Sequence, residues 1–334
     1  MTQKANYSIT NLGVLPGFEG SRAAALNNNG QVVGTSWRNS LDFEPYGFLW
    51  HDGAMSGLGD VIPSDINDKG QIVGTSRKRF LNFTAHGDKP RTSPSRSTID
   101  WVEAVSESGQ VVGYSLFIDW NVPSKSKRSA FVLEKGERRS LATPDGYRAG
   151  KAVGINSLGT VVGNVRHPNT NDESNNQHAV MWQDGSVELL GEPPGFRSTQ
   201  AEAINNLGQV LVWATTLTIL PEDAYEHEQQ SHLWHSGQWQ ALEGLGAAHS
   251  LNNLGQVVGW VGMDRKTAPG PNEDGDVHAA LWEAGAVTDL NDALPQDSGW
   301  VLHRAIDIND VGQIAGNGTF KDNFRAFLLT PERL

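Results

Sequence analysis

One nine-residue phrase constrains this chain more than any other feature. Written most cleanly at Leu251–Gly259 as LNNLGQVVG, it recurs seven times, beginning at Leu26, Ile66, Val105, Ile155, Ile204, Leu251 and Ile308. The first glycines of the copies are Gly30, Gly70, Gly109, Gly159, Gly208, Gly255 and Gly312, separated by 40, 39, 50, 49, 47 and 57 residues. A unit of that length cannot bury an apolar face alone, so consecutive copies must stack on one another.

Each copy reads as a hairpin tip. An apolar residue ends one strand, a polar N-x-x-G turn follows, and V-V-G alternates into the next strand. Asn and Gly suit a turn that needs a positive φ and a side chain able to bond nearby backbone. A second unit follows most copies: FLWHDGAMSGLG at Phe48–Gly59, VMWQDGSVELLG at Val180–Gly191, HLWHSGQWQALEG at His232–Gly244 and ALWEAGAVTDLN at Ala280–Asn291. It supplies a third strand, a tight turn such as Asp52-Gly53, and a fourth strand. The period therefore predicts an all-β, seven-bladed β-propeller of four-stranded antiparallel blades, one domain over residues 1–334. The last period holds only three strands, and Tyr7–Gly13 resembles a blade's fourth. The N-terminal strand is thus expected to join the last blade and close the ring, removing open edges.

Composition narrows the partners. A formal charge of −12 on 334 residues argues against nucleic acid, which needs a concentrated basic face. No apolar run approaches bilayer length, and a monomer away from membranes is expected. There is no cysteine, so burial and ring closure must supply stability. Residues 1–6 (MTQKAN) are too short and polar for a secretory leader, so the chain as written reads as cytoplasmic, and as extracytoplasmic if a leader has been removed.

The third strand carries a further signature: His178-Ala179-Val180, His278-Ala279-Ala280 and Arg325-Ala326-Phe327, with Tyr46-Gly47-Phe48 and Ser129-Ala130-Phe131 as departures. Together with I-N-x-x-G-Q-V-V-G, it resembles the HAF-repeat family, named for His-Ala-Phe, over essentially the whole chain. The resemblance implies a repeat fold and an extracellular setting, and it brings no general catalytic residues.

Strands A to D, numbered outward from the axis, place the A–B and C–D turns on one face and the B–C and D–A connections on the other. The B–C segments differ in every repeat, which marks their face as the expected functional one. The second and third repeats load it with Arg77, Lys78, Arg79, Lys89, Arg91, Arg96, Lys125, Lys127 and Arg128. The fifth and sixth add Glu222, Asp223, Glu226, Glu228, Glu273, Asp274 and Asp276. Steering of a zwitterionic ligand or polar partner is one reading, solvated loops the other.

Counting back eight and six residues from each repeat glycine selects side chains that a closed ring brings to the axis. Arg22, Lys151 and Arg304 suit a carboxylate or phosphate. Glu103, Glu202 and His249 suit acid, base or ligand roles, and Trp101 joins them. The competing reading is an ion-pair network around a water-filled channel. Of eleven tryptophans, Trp50, Trp182, Trp234 and Trp282 recur at one strand-C position and are core. Trp37, Trp101 and Trp120 fall near the variable face, where they stack on a flat ligand or fill gaps between unequal blades. His178 and His278 are expected to bond backbone at the head of strand C.

No metal-binding or nucleophile motif is present, and no cofactor is expected. Asn272–Asp276 (NEDGD) is the one oxygen-rich loop that suits calcium. Two functions stay open. The first is binding of a small polar, anionic or aromatic ligand, a glycan or a protein on the variable face and axial opening. The second is an enzyme at the axial mouth, of lyase, hydrolase, isomerase or cyclase type.

Overall fold

In the computed structural model, the described residues are 7–38, 45–76, 81–85, 98–117, 127–167, 176–219, 225–262, 277–295 and 297–332. They form an all-β propeller of antiparallel sheets around one axis, with a 3-10 turn at Leu290–Ala293 and no α-helix. No helix among them is long and apolar enough to cross a membrane.

Among the described residues, the expected count of seven four-stranded blades is corrected to six. Repeats one and three to seven each build a four-stranded blade, whereas the second repeat gives a three-stranded sheet, Val61–Ile66, Ile72–Ser76 and Leu81–Ala85. The second repeat lacks the tryptophan strand-and-turn unit. The sequence from Lys89 to Ser97 holds two prolines and no apolar residue, without the alternation that reads as a strand. Tyr7–Gly13 pairs antiparallel with Asn323–Pro331, so one blade is assembled from both ends of the chain.

Local chemistry explains the hairpins. At the C–D turns, Asp52-Gly53 and Asp184-Gly185 both take positive φ (48° and 81°, 51° and 81°), the two-residue geometry that matches strand twist. At the A–B turns the asparagine three residues before the glycine does two tasks. Asn27 Oδ1 accepts the N–H groups of Asn29 and Gln31 (3.1 and 2.9 Å), fixing its own turn. Its Nδ2 donates to the carbonyl of Asn67 in the next repeat at 2.9 Å. The same bridge runs from Asn67, Asn156, Asn205, Asn252 and Asn309, the last reaching Asn27 at 3.1 Å and joining the chain's two ends. Ser106 stands in the third turn and has no amide to send across.

Every inner strand carries a β-bulge at one place, leaving Ala24, Ser64, Glu103, Val153, Glu202, His249 and Ile306 as the extra residues. The V-V-G glycine accommodates it. A Cβ on Gly259 would lie 1.9 Å from the Ala247 carbonyl oxygen, so glycine lets these two strands approach this closely. Repeat five has a fully buried Val212 there instead.

Apolar side chains from facing sheets fill the space between blades. Phe48, Phe131 and Phe327 are fully buried, and Trp50, Trp182, Trp234 and Trp282 are 4–7% exposed. One cluster joins Phe48 and Trp50 to Ala315, Ala326 and Leu328 across the closure.

Candidate functional site: the axial channel

The seven inner strands surround a channel with three levels. At the A–B face, Asn28, Asp68, Glu107, Ser157, Asn206, Asn253 and Asp310 rim a cavity of about 370 Å³. Below it, a space of about 260 Å³ is lined by the bulged residues and their neighbours, including Glu103, Glu202, His249, Asp65 and Asp307. Two residues earlier on the inner strands come Arg22, Trp101, Lys151 and Arg304, toward the B–C and D–A connections.

The sequence-selected residues thus converge, in pairs and stacks. Lys151 Nζ lies 3.3 Å from Glu103 Oε1 and 5.5 Å from the Tyr114 ring centre. Trp101 stacks on that Tyr114 ring at 5.1 Å with planes 11° apart, and Arg128 sits 5.1 Å from it. Arg22 lies between two aromatic rings, its Cζ 5.1 Å from Phe324 and 5.4 Å from Trp37. Trp37 and Phe324 thus flank an axial arginine.

Electrostatics distinguishes the middle level. Burial pushes the Glu202 carboxyl up to about 7; Lys151 pulls it down and Glu103 raises it. The residue is nevertheless solvent-accessible where it lines the channel. Burial lowers His249 to about 4, and Arg304 adds to the shift, so the imidazole is neutral at neutral pH. His249 Nε2 is buried without a hydrogen-bond partner.

Two residues of this level escaped the sequence analysis. Asp307 Oδ2 accepts the Leu26 N–H at 2.7 Å, and its Oδ1 accepts the Ser250 hydroxyl and the Ile308 N–H at 2.6 and 2.9 Å. Asp65 accepts the N–H groups of Val105 (2.7 Å) and Ile66 (2.8 Å). Each carboxylate thus ties its inner strand to the next one. Burial raises Asp65 to about 7 against its Val105 and Ile66 bonds, with Asp307 pushing further up. Asp307 rises to about 6, also by burial. The sign of their presence was the in-strand glycine: a bulge there turns the following residue inward too.

Other expectations resolve differently. His178 and His278 bond carboxylates, not backbone: Nδ1 lies 2.7 Å from Glu192 Oε1 and 2.6 Å from Asp289 Oδ2. Trp120, the basic residues Arg77, Lys78, Arg79, Lys89, Arg91, Arg96 and Lys125, the acidic Glu222 and Asp223, and the Asn272–Asp276 loop lie outside the described residues. Among the described residues no three His, Asp or Glu side chains are grouped to hold a metal ion.

No protein-family profile matches the chain, and no curated protein matches it. Solved structures do, at the level of fold. The β-propeller domain of the trilobed protease from Pyrococcus furiosus is 11% identical over 95% of this chain and 96% of that one, with a TM-score of 0.59. Acylaminoacyl peptidase from Pyrococcus horikoshii is 15% identical over 93% of this chain, with a TM-score of 0.55. The chain spans about half of that peptidase, 51% of its length. Polysaccharide lyase Uly1 is 11% identical over 98% of this chain and 92% of that one, with a TM-score of 0.50. The chain is a β-propeller. At these identities the likeness concerns the fold alone.

Proposed function

We propose that this propeller binds a small polar ligand bearing an anionic group in its axial channel, with the anion on Arg22 and Arg304. The observation that carries the reading is unrepeated chemistry on a repeated scaffold. The A–B clasp repeats its asparagine in six turns, while the equivalent inner-strand positions hold Arg22, Trp101, Lys151 and Arg304. A guanidinium fixed between Trp37 and Phe324 is a prepared partner for carboxylate or phosphate. Below it, neutral His249 and the part-protonated Glu202 offer both donors and acceptors to the rest of the molecule.

The test is thermal unfolding against sugars, carboxylates, phosphates and aromatic acids. A carboxylate or phosphate at a hundredfold its dissociation constant adds about 2.7 kcal/mol, and Arg304→Ala should remove that shift. A flat response to every anion, or a shift indifferent to Arg304→Ala, would overturn the reading.

Glu202 and His249 favour a second reading, acid–base chemistry on the bound ligand, because a carboxyl near 7 and a neutral imidazole suit proton transfer at neutral pH. In that case Glu202→Gln abolishes turnover and leaves binding intact. The His-Ala-Phe signature supports membership of the HAF-repeat family as a proposal.

A further inference from the structure

The A–B turn face carries a feature that neither the fold nor the channel uses. In the last four repeats the residue before the turn glycine is aliphatic and exposed: Leu158 at 75%, Leu207 at 59%, Leu254 at 69% and Val311 at 59%. The turn requires only the backbone of that residue. Each N–H donates to its asparagine Oδ1 at 3.0–3.2 Å. Asn29 and Lys69 make the same bond at 3.1 and 3.2 Å in the first two repeats, so a polar side chain serves the turn equally well. Four successive turns thus set an apolar arc along one side of the mouth, and three polar turns complete the circle.

The arc borders an acidic opening. Three rim carboxylates, Asp68, Glu107 and Asp310, and the two buried carboxyls Asp65 and Asp307 line the cavity behind it, and no lysine or arginine does. Neutral donors hold the rim charges: Asn28 Nδ2 bonds Asp68 Oδ2 at 2.9 Å, and Asn253 Nδ2 bonds Asp310 Oδ2 at 2.7 Å. These bonds position the rim carboxylates without a cation, while Lys69 of the second turn donates its Nζ to the Glu107 carbonyl at 2.6 Å. A second copy of this chain laid face to face would set acid against acid, which disfavours self-association here.

We propose that this face docks a polypeptide partner whose apolar side chains cover the arc while a neighbouring lysine or arginine side chain enters the acidic mouth. Apolar anchors beside a complementary charge are the usual composition of such a contact. The surface lies at the opposite end of the channel from the proposed anion site, so either can fail without the other.

The experiment pans a phage-displayed library of random twelve-residue peptides against the whole chain, then measures recovered peptides in solution by fluorescence anisotropy. Recovered sequences should pair lysine or arginine with leucine, isoleucine or phenylalanine. Their affinity should fall at least about tenfold in the Leu158→Ser/Leu207→Ser/Leu254→Ser/Val311→Ser protein, as loss of interface anchors does. Asp68→Asn/Asp310→Asn should weaken them and flatten their salt dependence. Leu158→Ser alone, at the most exposed position, serves if the fourfold variant unfolds. Recovery of no peptide, equal binding to the substituted proteins, or recovery of acidic peptides would overturn the proposal. So would a dimer in sedimentation that the serine substitutions dissolve, since the arc would then belong to a second copy.

Discussion

Replacing Asn309 tests the ring clasp where the chain's ends meet. The residue is 4% exposed, and its Oδ1 accepts the N–H groups of Val311 (3.2 Å) and Gln313 (2.8 Å). Its Nδ2 donates to the Asn27 carbonyl at 3.1 Å and to Gln313 Oε1 at 2.8 Å. Asn309→Ala removes all four bonds. At about 0.5–1.5 kcal/mol net for each, the loss is about 2–6 kcal/mol. Asn309→Ser should cost less, because the third repeat shows what serine preserves: Ser106 Oγ accepts the Gln110 N–H at 3.1 Å. Serine keeps the bond from the Gln313 N–H and forfeits the other three, the bridge to Asn27 among them, so the two variants should differ by about 0.5–1.5 kcal/mol. Urea unfolding of the three proteins gives the comparison, with midpoints ordered wild type, Asn309→Ser, Asn309→Ala at a constant slope. Equal midpoints for serine and alanine would refute the assignment of separate turn and bridge roles.

The buried carboxyls make stability depend on pH. Asp65 and Asp307 have folded-state values raised from 3.8 to about 7 and about 6, so between pH 4 and those values the native state holds the extra protons. Their contribution is greatest at the acid end of that window and is lost as pH rises, by at most about 1.4 kcal/mol per unit for each group. His249, lowered to about 4, acts in the opposite sense between 4 and 6.5. Asp65→Asn should therefore gain relative to wild type as pH climbs from 4 to 7 in urea titrations; parallel curves would contradict the shift. Removing residues 1–14 strips the strand that pairs with Asn323–Pro331 and reopens the ring. Calorimetry should show the whole transition moving down, and loss confined to a small separate transition would count against closure.

The repeat glycine made most of this architecture legible. Counting back from it brought Arg22, Glu103, Lys151, Glu202, His249 and Arg304 to one channel, because the offset from turn to axis is the same in every repeat. Asp65 and Asp307 stayed hidden because that count assumes unbroken alternation, and the bulge one residue earlier breaks it. The glycine of V-V-G was readable as a strand residue; the carbonyl pressed against it comes from another strand and leaves no local trace. Asn27 and its counterparts looked like turn residues, and the bridge to the next blade depends on stacking that a single hairpin does not encode. The second repeat, which lacks the tryptophan unit, is the one with three described strands.

The central claim is that the channel receives an anion between Arg22 and Arg304. Crystals soaked in selenate, read by anomalous diffraction, test it most directly. A selenium peak is expected in the channel within about 3–4 Å of both guanidinium groups, at charge-assisted hydrogen-bond range once the Se–O bond is included. A channel without selenium, in crystals that carry selenate on outer arginines, would contradict it.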